Sequence, residues 1–335
     1  MSLALALDDA DYSDFLPTNT LGAFQLLDRL GSGGMAAVFK AQDVRTGELV
    51  ALKTVRHGSE REVDCLAREI AMLKGLNHPG VVRFLGAGNW NEMPWMAMEL
   101  LQGQTLFDEI SSLWGRPPRT VPAAPEVDLD PDGWMYRLHD LPELAWPVRP
   151  AAGGRLRDAV SMVVRLARVL EYLHAHGVVH RDLKPENVFV AGNGRTTLLD
   201  FGLASRVRGV GSEGRTRPAS VATTVEYAAP ELLCGERVDE RVDVYALGCI
   251  FYELVTGRRP FEADSIDEIV RRHLDDAPVC PSDLVAGVSW RLEDLILDML
   301  AKRPKHRPRN GAEVASRLTE VFYDDVADDS RRSAA

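Results

Sequence analysis

Residues 178–190 read VVHRDLKPENVFV and place a dense block of charge between two apolar runs. Runs of this kind are typical of segments that a chain buries. Burying a charge is unfavourable unless the charge is paired, bound to a metal or used in chemistry. The block holds His180, Arg181, Asp182, Lys184, Glu186 and Asn187 within eight positions. The stretch therefore predicts a functional site, although it does not yet define the chemistry.

The composition limits the class of protein. The chain has 335 residues, of which 45% are hydrophobic and 27% charged, enough for one large domain or two lobes. Its formal net charge of -11 disfavours sequence-independent binding to nucleic acid, because such binding depends on cationic contacts to phosphates. We therefore expect a folded chain without a nucleic-acid partner.

Two further patterns concern the compartment. The cysteines lack C-x-x-C spacing, which indicates neither a zinc site nor a disulfide framework: Cys65, Cys234, Cys249 and Cys280. The first fifteen residues lack the basic start of a signal peptide, and no segment reaches the roughly 18 apolar residues of a membrane helix. We expect a cytoplasmic chain with reduced cysteines and no membrane segment.

Hydrophobic periodicity predicts a small sheet near the amino terminus. Apolar and polar residues alternate over 24–55, which predicts three short antiparallel strands. Residues 59–76 change to helical spacing, and residues 81–88 and 94–101 predict two further strands.

Helices dominate after residue 156, where apolar residues keep one face of a long amphipathic helix. Further helices are predicted at 229–235, 240–256, 265–274 and 289–301. The expected fold class is α+β, with a small antiparallel β-sheet lobe that contains one helix and a larger, mainly helical lobe. The boundary falls near residues 100–104.

Residues 113–155 form an unusual segment. They hold eight of the 19 prolines and three of the six tryptophans, namely Trp114, Trp134 and Trp146. Loops of this length without secondary structure are uncommon in compact domains, and disordered linkers are poor in aromatic residues. The segment is therefore expected either to dock on the large lobe and bind a partner, or to be a lineage-specific insertion without a binding role.

Residues 30–40, LGSGGMAAVFK, place Gly31, Gly33 and Gly34 at a turn between strands. Glycines there let backbone N–H groups approach phosphate oxygens, although a plain hairpin turn explains the motif equally well. The pattern G-x-G-x-x-A is also satisfied, but a β pattern follows it where a dinucleotide site requires a helix.

Two charged residues stand out in apolar surroundings. Lys53 lies within the strand pattern VALK, and Glu69 lies beside the buried face of the predicted helix. An unpaired ammonium group in a strand is unfavourable, so a partner is expected. The alternative is a lysine that extends to solvent and an ordinary exposed glutamate.

Asp200 ends a hydrophobic strand pattern in LLDFGLA. A carboxylate in that position is suited to Mg²⁺, which prefers one or two carboxylates together with substrate phosphates. A turn aspartate is the alternative.

Taken together, these motifs resemble the signature set of the protein kinases. The glycine loop, VALK, the helical glutamate, HRDLKPEN, DFG and YAAPE (227–231) occur in the family's order and spacing. The chain resembles a eukaryotic-like serine/threonine protein kinase, of bacterial style, over about residues 22–318. The resemblance implies an acidic leader (1–21), an amino lobe (22–101), a carboxyl lobe (102–318) with the 113–155 insertion, and a tail (319–335).

The resemblance also assigns catalytic roles. Lys53 would hold the α and β phosphates of ATP and pair with Glu69. Asp182 would accept the proton of the substrate hydroxyl or orient it, and Lys184 would steady the transferred phosphoryl group. Asn187 and Asp200 would bind Mg²⁺, with Mn²⁺ as the alternative ion. Thr224 matches the threonine that family members use beside the catalytic aspartate.

The nucleotide would contact the glycine loop and the apolar positions that the family uses for adenine. The implied residues are Leu30, Gly31, Ser32, Gly33, Gly34, Val38, Ala51, Lys53, Met98, Glu99, Leu101 and Phe189. Of these, Glu99 and Leu101 would bind through their backbone, and Met98 would be the gatekeeper. The apolar positions have a simple alternative as core residues.

Structural and regulatory roles follow from the same resemblance. Glu231 and Arg307 would form a buried ion pair, although 302–309 alone reads as a basic surface run. Asp243 would hold the backbone of the catalytic loop. Arg181 would pair with a phosphate on the activation loop. The expected phosphorylation sites are Ser220 and Thr223, with Thr216 behind them.

The departures from the family pattern spare the catalytic groups. Ala36 replaces the third glycine, and Thr223 stands where many relatives have glycine. The expected function is transfer of the γ-phosphoryl group of Mg·ATP to serine or threonine of a protein substrate. A pseudokinase scaffold and a small-molecule phosphotransferase are the alternatives, and the sequence defines no oligomeric state.

Overall fold

The computed structural model describes residues 20–32, 36–55, 58–90, 93–115, 153–206 and 225–321. The chain divides into two compact units. The amino unit comprises residues 1–77 and 82–101, and the carboxyl unit comprises residues 78–81 and 102–335. None of the helices in the described ranges combines the length and the apolar character needed to cross a membrane.

The amino unit contains a six-stranded antiparallel sheet in the order β1-β2-β3-β4-β6-β5. Its strands are β1 (Thr20–Leu21), β2 (Phe24–Ser32), β3 (Ala36–Asp43), β4 (Leu49–Val55), β5 (Phe84–Trp90) and β6 (Met93–Glu99). The side chains of β3 alternate between half-buried and buried, as expected for a sheet with one face on a core. Leu21, Phe24, Ala41, Val50, Leu52 and Ala97 form a buried cluster on this sheet.

Helix α1 (Glu60–Leu73) follows β4 in the same unit. Ser59 caps its amino end, and the Glu62 side chain returns a hydrogen bond to the Ser59 backbone, so a capping box fixes where the helix begins. Leu66, Glu69, Met72 and Leu73 are buried along it. Two carboxylates of the helix are also buried: that of Glu62, which takes part in the cap, and that of Glu69, which lies among the apolar residues.

The carboxyl unit is mainly helical. Its helices are α2 (Leu106–Leu113), α3 (Gly153–Ala175), α4 (Pro230–Leu233), α5 (Arg241–Thr256), α6 (Ile266–Asp275), α7 (Pro281–Leu284) and α8 (Trp290–Met299), and residues 311–321 form a further helix, α9. Helix α5 is buried on all sides from Val242 to Thr256, as expected for a helix at the centre of a unit. At Gly311, a Cβ atom would lie 2.3 Å from the carbonyl oxygen of Ala167 on α3, so α9 approaches α3 closely.

Short strands complete the carboxyl unit. Strands β7 (Gly103–Thr105), β9 (Val188–Ala191) and β10 (Thr196–Leu198) form one antiparallel sheet in the order β10-β9-β7. Strands β8 (Val178–Val179) and β11 (Ser205–Arg206) form a second sheet. Strand β8 directly precedes the charged block at 180–187 and β9 directly follows it, so paired strands hold both ends of the block.

The predicted α+β fold, with an antiparallel sheet and one helix followed by a helical region, is confirmed. The three strands within 24–55 and the helix within 59–76 are present. Helix α2 ends at Leu113 and α3 begins at Gly153, so ordered helix overlaps both ends of the predicted 113–155 segment. Helix α9 continues to residue 321, beyond the expected start of the tail at 319.

Candidate active site

Lys53 and Glu69 form a close ion pair in the amino unit. The Lys53 Nζ atom lies 2.9 Å from Oε1 and 2.8 Å from Oε2 of Glu69, and the two side chains are only 12% and 4% exposed. Strand β4 presents Lys53, and α1 presents Glu69 sixteen residues later. The expected partner of the strand lysine is therefore present, and the alternative of two independent solvated side chains is wrong.

Strands β2, β3 and β4 arrange the residues expected to bind the nucleotide. Gly31 pairs with Val38 across β2 and β3, and Val38 pairs with Lys53 across β3 and β4. The pairing of β2 and β3 shifts register between Arg29 and Gly31, directly before the glycine motif. Gly33 and Gly34 lie outside the described residues.

The β4–β6 pairing places the other expected adenine contacts in register. Ala51 lies opposite Met98, and Val50 lies opposite Glu99. Ala51 is buried. Four other expected contacts are half-buried and so retain surface for a ligand: Leu30, Val38, Met98 and Leu101. The Glu99 amide donates to the carbonyl of Arg83 at 3.0 Å.

In the carboxyl unit, two side chains of the charged block, those of Asn187 and Lys184, converge on Asp182. The Nδ2 amide of Asn187 donates to the backbone oxygen of Asp182 at 2.8 Å and to its Oδ2 at 3.1 Å. Lys184 Nζ lies 3.1 Å from the same Oδ2. The other carboxylate oxygen, Oδ1, is buried and has no hydrogen-bond partner among the described residues. An oxygen in that state is suited to accept a proton or hydrogen bond from a substrate.

Asp243, in the first turn of α5, holds the backbone of the charged block. Its Oδ2 accepts the amide of His180 and its Oδ1 accepts the amide of Arg181, both at 2.8 Å. Its Oδ2 also lies 3.0 Å from Nε2 of His174. Complete burial opposes the charge of Asp243, but the hydrogen bonds from His174 and from the His180 amide outweigh it and lower the pKa. The carboxylate therefore stays charged beneath the charged block.

His174 is a site residue that the sequence did not reveal. Its Nδ1 accepts the amide of Gly311 at 3.2 Å, which leaves Nε2 as the donor to Asp243. It thus connects α9 to α5. A histidine on an amphipathic helix carries no signal for this role, because its partners lie 69 and 137 positions away in the chain.

Two residues of the candidate site, Arg181 in the block and Asp200 beyond it, have left-handed backbone conformations. Arg181 has φ 66° and Asp200 has φ 55°, which is unusual for residues other than glycine and is retained where the surroundings enforce it. The Asn187 carbonyl accepts the Leu199 amide at 2.8 Å, and His180 Nε2 lies 3.1 Å from the Leu199 carbonyl. The segment that carries Asp200 is therefore fixed directly to the catalytic loop.

Asp200 and Phe189 occupy the positions expected from their motifs. An oxygen of Asp200 accepts the Gly202 amide at 3.2 Å, so the local turn orients the carboxylate. Phe189 is half-buried on β9, where it pairs with Thr197 on β10 and Thr105 on β7.

Glu231 and Arg307 form the expected buried ion pair. Arg307 Nη1 and Nη2 lie 2.7 and 2.9 Å from the two carboxylate oxygens of Glu231. Arg307 also donates to the carbonyls of Ala301, Lys302 and Arg241. The alternative of a basic surface run is therefore wrong at this position, since the Arg307 side chain is fully buried.

Arg181 is the described member of the expected regulatory set. Its side chain is half-buried, and its Nε atom is buried without a hydrogen-bond partner in the described part of the chain. Burial lowers the pKa of Arg181, and the charge of Asp243 opposes this effect. Thr216, Ser220, Thr223 and Thr224 lie outside the described residues.

A second group of charged residues, also missed from the sequence, surrounds the YAAPE motif. The Tyr227 hydroxyl donates to Glu253 at 2.6 Å, and both residues are buried. The Arg259 guanidinium lies 2.7 Å from Glu226. The long separations of these pairs, 26 and 33 residues, hide them from pattern reasoning.

Comparisons with known proteins agree with this geometry. Residues 24–318 match the family described as "Protein kinase domain". Serine/threonine-protein kinase PknB of Mycolicibacterium smegmatis is 31% identical over 319 residues, which cover 93% of this chain and 45% of that protein. A probable serine/threonine-protein kinase of Streptomyces coelicolor is 33% identical over 307 residues, which cover 89% of this chain and 40% of the relative. PknB of Mycobacterium tuberculosis strain H37Rv is 29% identical over 312 residues, with 91% and 44% covered. The chain therefore spans less than half the length of these relatives.

Proposed function

This chain belongs to the protein kinase domain family, and from that premise we propose that it transfers the γ-phosphoryl group of ATP to serine or threonine hydroxyls of proteins. The observation that carries the proposal is the buried Oδ1 of Asp182, which lacks a partner in the described residues beside an ordered Lys184 and Asn187. A carboxylate held in this way is suited to orient a hydroxyl nucleophile and receive its proton.

The donor set fits a hard divalent cation. Asn187 uses its Nδ2 amide on Asp182, which leaves its amide oxygen for a metal, and Asp200 supplies a carboxylate. Magnesium, or manganese as the alternative ion, supplies charge neutralisation for the phosphate oxygens when bound. We assign Asn187 and Asp200 as its ligands.

Each remaining side chain has a separate part in the proposed reaction. Lys53, oriented by Glu69, holds the α and β phosphates of ATP. Lys184 places a positive charge beside Asp182 and neutralises charge on the transferred group. Asp243 and the strained backbone at Arg181 keep the loop in one conformation, so little reorganisation is required during reaction.

Serine and threonine specificity rests on two lines of support. Lys184 within HRDLKPEN resembles the pattern of serine/threonine kinases. The similar proteins of Mycolicibacterium and Streptomyces are named as kinases of that class. Protein substrates are favoured over small molecules by the YAAPE motif and the long segment 203–226.

We further propose that phosphorylation of the activation loop regulates activity. Arg181 precedes Asp182 and presents a half-buried guanidinium whose Nε lacks a described partner, which suits it to a phosphate group. Ser220 and Thr223 are the proposed sites, with Thr216 next. The 113–155 segment is proposed as a docking surface for a protein partner.

A pseudokinase scaffold is the second candidate, and the retained Lys53, Asp182 and Asp200 argue against it. The deciding experiment is intact-mass and phosphosite mapping after incubation with Mg·ATP, beside an Asp182→Asn control. We expect phosphate on serine or threonine of the parent and none on the control. Equal phosphate in both proteins, or binding of ATP without any transfer to itself or to a protein substrate, would contradict the proposed activity.

A further inference from the structure

The segment Val225–Tyr227 lies directly after Thr224 in the chain and forms a 3₁₀ turn. Tyr227 is close enough to Glu186, in the catalytic loop, for that carboxylate to act on its pKa. The segment therefore lies near Glu186, within the same charged block as the proposed catalytic Asp182. A peptide substrate whose flanks extend along Val225–Tyr227 would be exposed to the charge of this segment.

Carboxylates surround this segment. Glu226 belongs to the turn, Glu253 accepts the Tyr227 hydroxyl from α5, and Glu262 follows α5 in the chain. A peptide that approached the partly exposed Glu226 and Glu262 without compensation would meet a site selective for lysine and arginine.

Arg259 provides the compensating charge. Its Nη1 lies 2.7 Å from Glu226, and its Nε lies 3.7 Å from Glu262. Burial opposes the charge of Arg259, but Tyr227, Glu226, Glu253 and Glu262 outweigh burial and raise its pKa. Helix α6 contributes one more titratable group near Arg259, namely His273. Burial and then the charge of Lys302 lower the pKa of His273, and Arg259 adds to this effect.

The local fold delivers Arg259 to this position. Helix α5 ends at Gly257, which has φ 72° and donates its amide to the Glu253 carbonyl at 2.8 Å. This left-handed cap turns the chain back along the helix end, so that Arg259 returns toward Glu226. Its neighbour Arg258 is instead exposed.

We propose that Arg259 is a specificity-determining residue that cancels the charge of Glu226 and so prevents the segment Val225–Tyr227 from selecting basic peptides. The Arg259 and Glu226 side chains are 33% and 28% exposed, so their pairing contributes little to stability, as is usual for ion pairs near a surface. Its effect is therefore expected in substrate choice rather than in folding. The inference rests on the proposed protein kinase activity.

The test compares two serine peptides of equal length, one with neutral flanks and one with lysines on both sides of the serine. The measured quantity is the ratio of kcat/KM for the basic peptide to that for the neutral peptide. We expect Arg259→Ala to raise this ratio about five-fold, the effect of one uncompensated charge near 4 Å in water. Arg259→Lys should stay near the parent, and the double variant with Glu226→Gln should return to the parent ratio.

Two variants keep the result decisive. Arg258→Ala removes the same charge one position away and should leave the ratio unchanged. Glu226→Gln leaves Arg259 without its partner carboxylate and should lower the ratio below that of the parent, even where Arg259→Ala folds poorly. An unchanged ratio in Arg259→Ala, or the same rise in Arg258→Ala, would overturn the proposal.

A binding measurement separates this inference from the proposed activity. Fluorescence anisotropy with labelled peptides in which alanine replaces the target serine gives dissociation constants without phosphoryl transfer. The same five-fold change in the ratio of dissociation constants supports the role of Arg259, whether or not the parent transfers phosphate. Absence of phosphoryl transfer alone contradicts only the proposed kinase activity. Absence of peptide binding to every variant would contradict both.

Discussion

The Nδ2 amide of Asn187 donates to both the backbone carbonyl and the carboxylate of Asp182, at 2.8 and 3.1 Å. One side chain thus fixes the main chain and the side chain of the proposed catalytic residue at once. Asn187 is buried in a single 3₁₀ turn with Pro185, so its own position is fixed by the turn. The amide therefore orients Asp182 with its nitrogen, which leaves its oxygen for the proposed metal ion.

The first prediction replaces this amide. Asn187→Asp removes two hydrogen bonds and places a second carboxylate about 3 Å from that of Asp182, which favours protonation of one of them. We expect kcat to fall by about 100-fold, the effect of roughly 3 kcal/mol in the barrier. Steady-state kinetics with a protein substrate measure it. Asn193→Asp, the same substitution at an exposed turn, is the control, and a loss below about three-fold in Asn187→Asp would contradict the proposed role.

The second prediction concerns the ion pair of the amino unit. Glu69→Gln keeps the shape of the side chain but removes the charge that faces Lys53 across 2.8 Å. A hydrogen bond to a charged group contributes about 1.5–3 kcal/mol, so we expect kcat/KM for ATP to fall by roughly 10- to 100-fold. Glu60→Gln, at an exposed position on the same helix, should leave kcat/KM unchanged. Equal kinetics for both variants would show that the pair does not position Lys53 for ATP.

The local features of this site were predictable because their signal lies in adjacent residues. The block 178–190 contains both the buried strand ends and the charged residues between them, so burial and charge conflict within one short stretch. The pairing of the strand lysine Lys53 with Glu69 was also predictable, because β4 and α1 follow each other in the chain. Period and charge together predicted the sheet, the helices and the charged block, whereas the roles of individual residues came from the resemblance to protein kinases.

Contacts between distant parts of the chain were harder to predict from the sequence. His174 supports Asp243 across 69 positions, and Arg259 meets Glu226 across 33. Histidine on a helix and arginine in a loop are both common. Neither residue is a charge within an apolar stretch, so nothing in the neighbouring sequence indicates its role. Strands β8 and β11 escaped prediction because two residues are too few to show a period.

The third prediction compares a buried ion pair with an exposed one. Glu231→Ala leaves the fully buried Arg307 guanidinium without its carboxylate, and we expect the free energy of unfolding to fall by about 3–5 kcal/mol. Glu171→Ala breaks the pair with Arg168, whose members are 46% and 39% exposed, and should lose about 0–1 kcal/mol. Urea denaturation followed by circular dichroism measures both. Similar losses in the two variants would contradict the assignment of Glu231 and Arg307 as a structural anchor.

The final prediction uses a buried histidine. His273 is fully buried beside Tyr245, whose hydroxyl lies 2.9 Å from its Nδ1. Burial and then the charge of Lys302 lower the pKa of His273 from 6.5 to about 3, while the Glu226 backbone opposes this and Arg259 adds to it. The histidine is therefore neutral in the folded protein across a range in which the unfolded chain binds a proton.

Stability contributed by a lowered histidine pKa is present above pH 6.5 and is lost as the pH falls toward 3. We expect the unfolding free energy of the parent to drop relative to His273→Asn by about 1.4 kcal/mol per pH unit below 6.5, or roughly 2 kcal/mol at pH 5. Asparagine retains an acceptor for Tyr245 without a titrating ring. Urea denaturation at pH 7, 6 and 5 gives the difference, with His306→Asn at an exposed position as the control. Parallel curves for the parent and His273→Asn would show that His273 does not account for acid sensitivity.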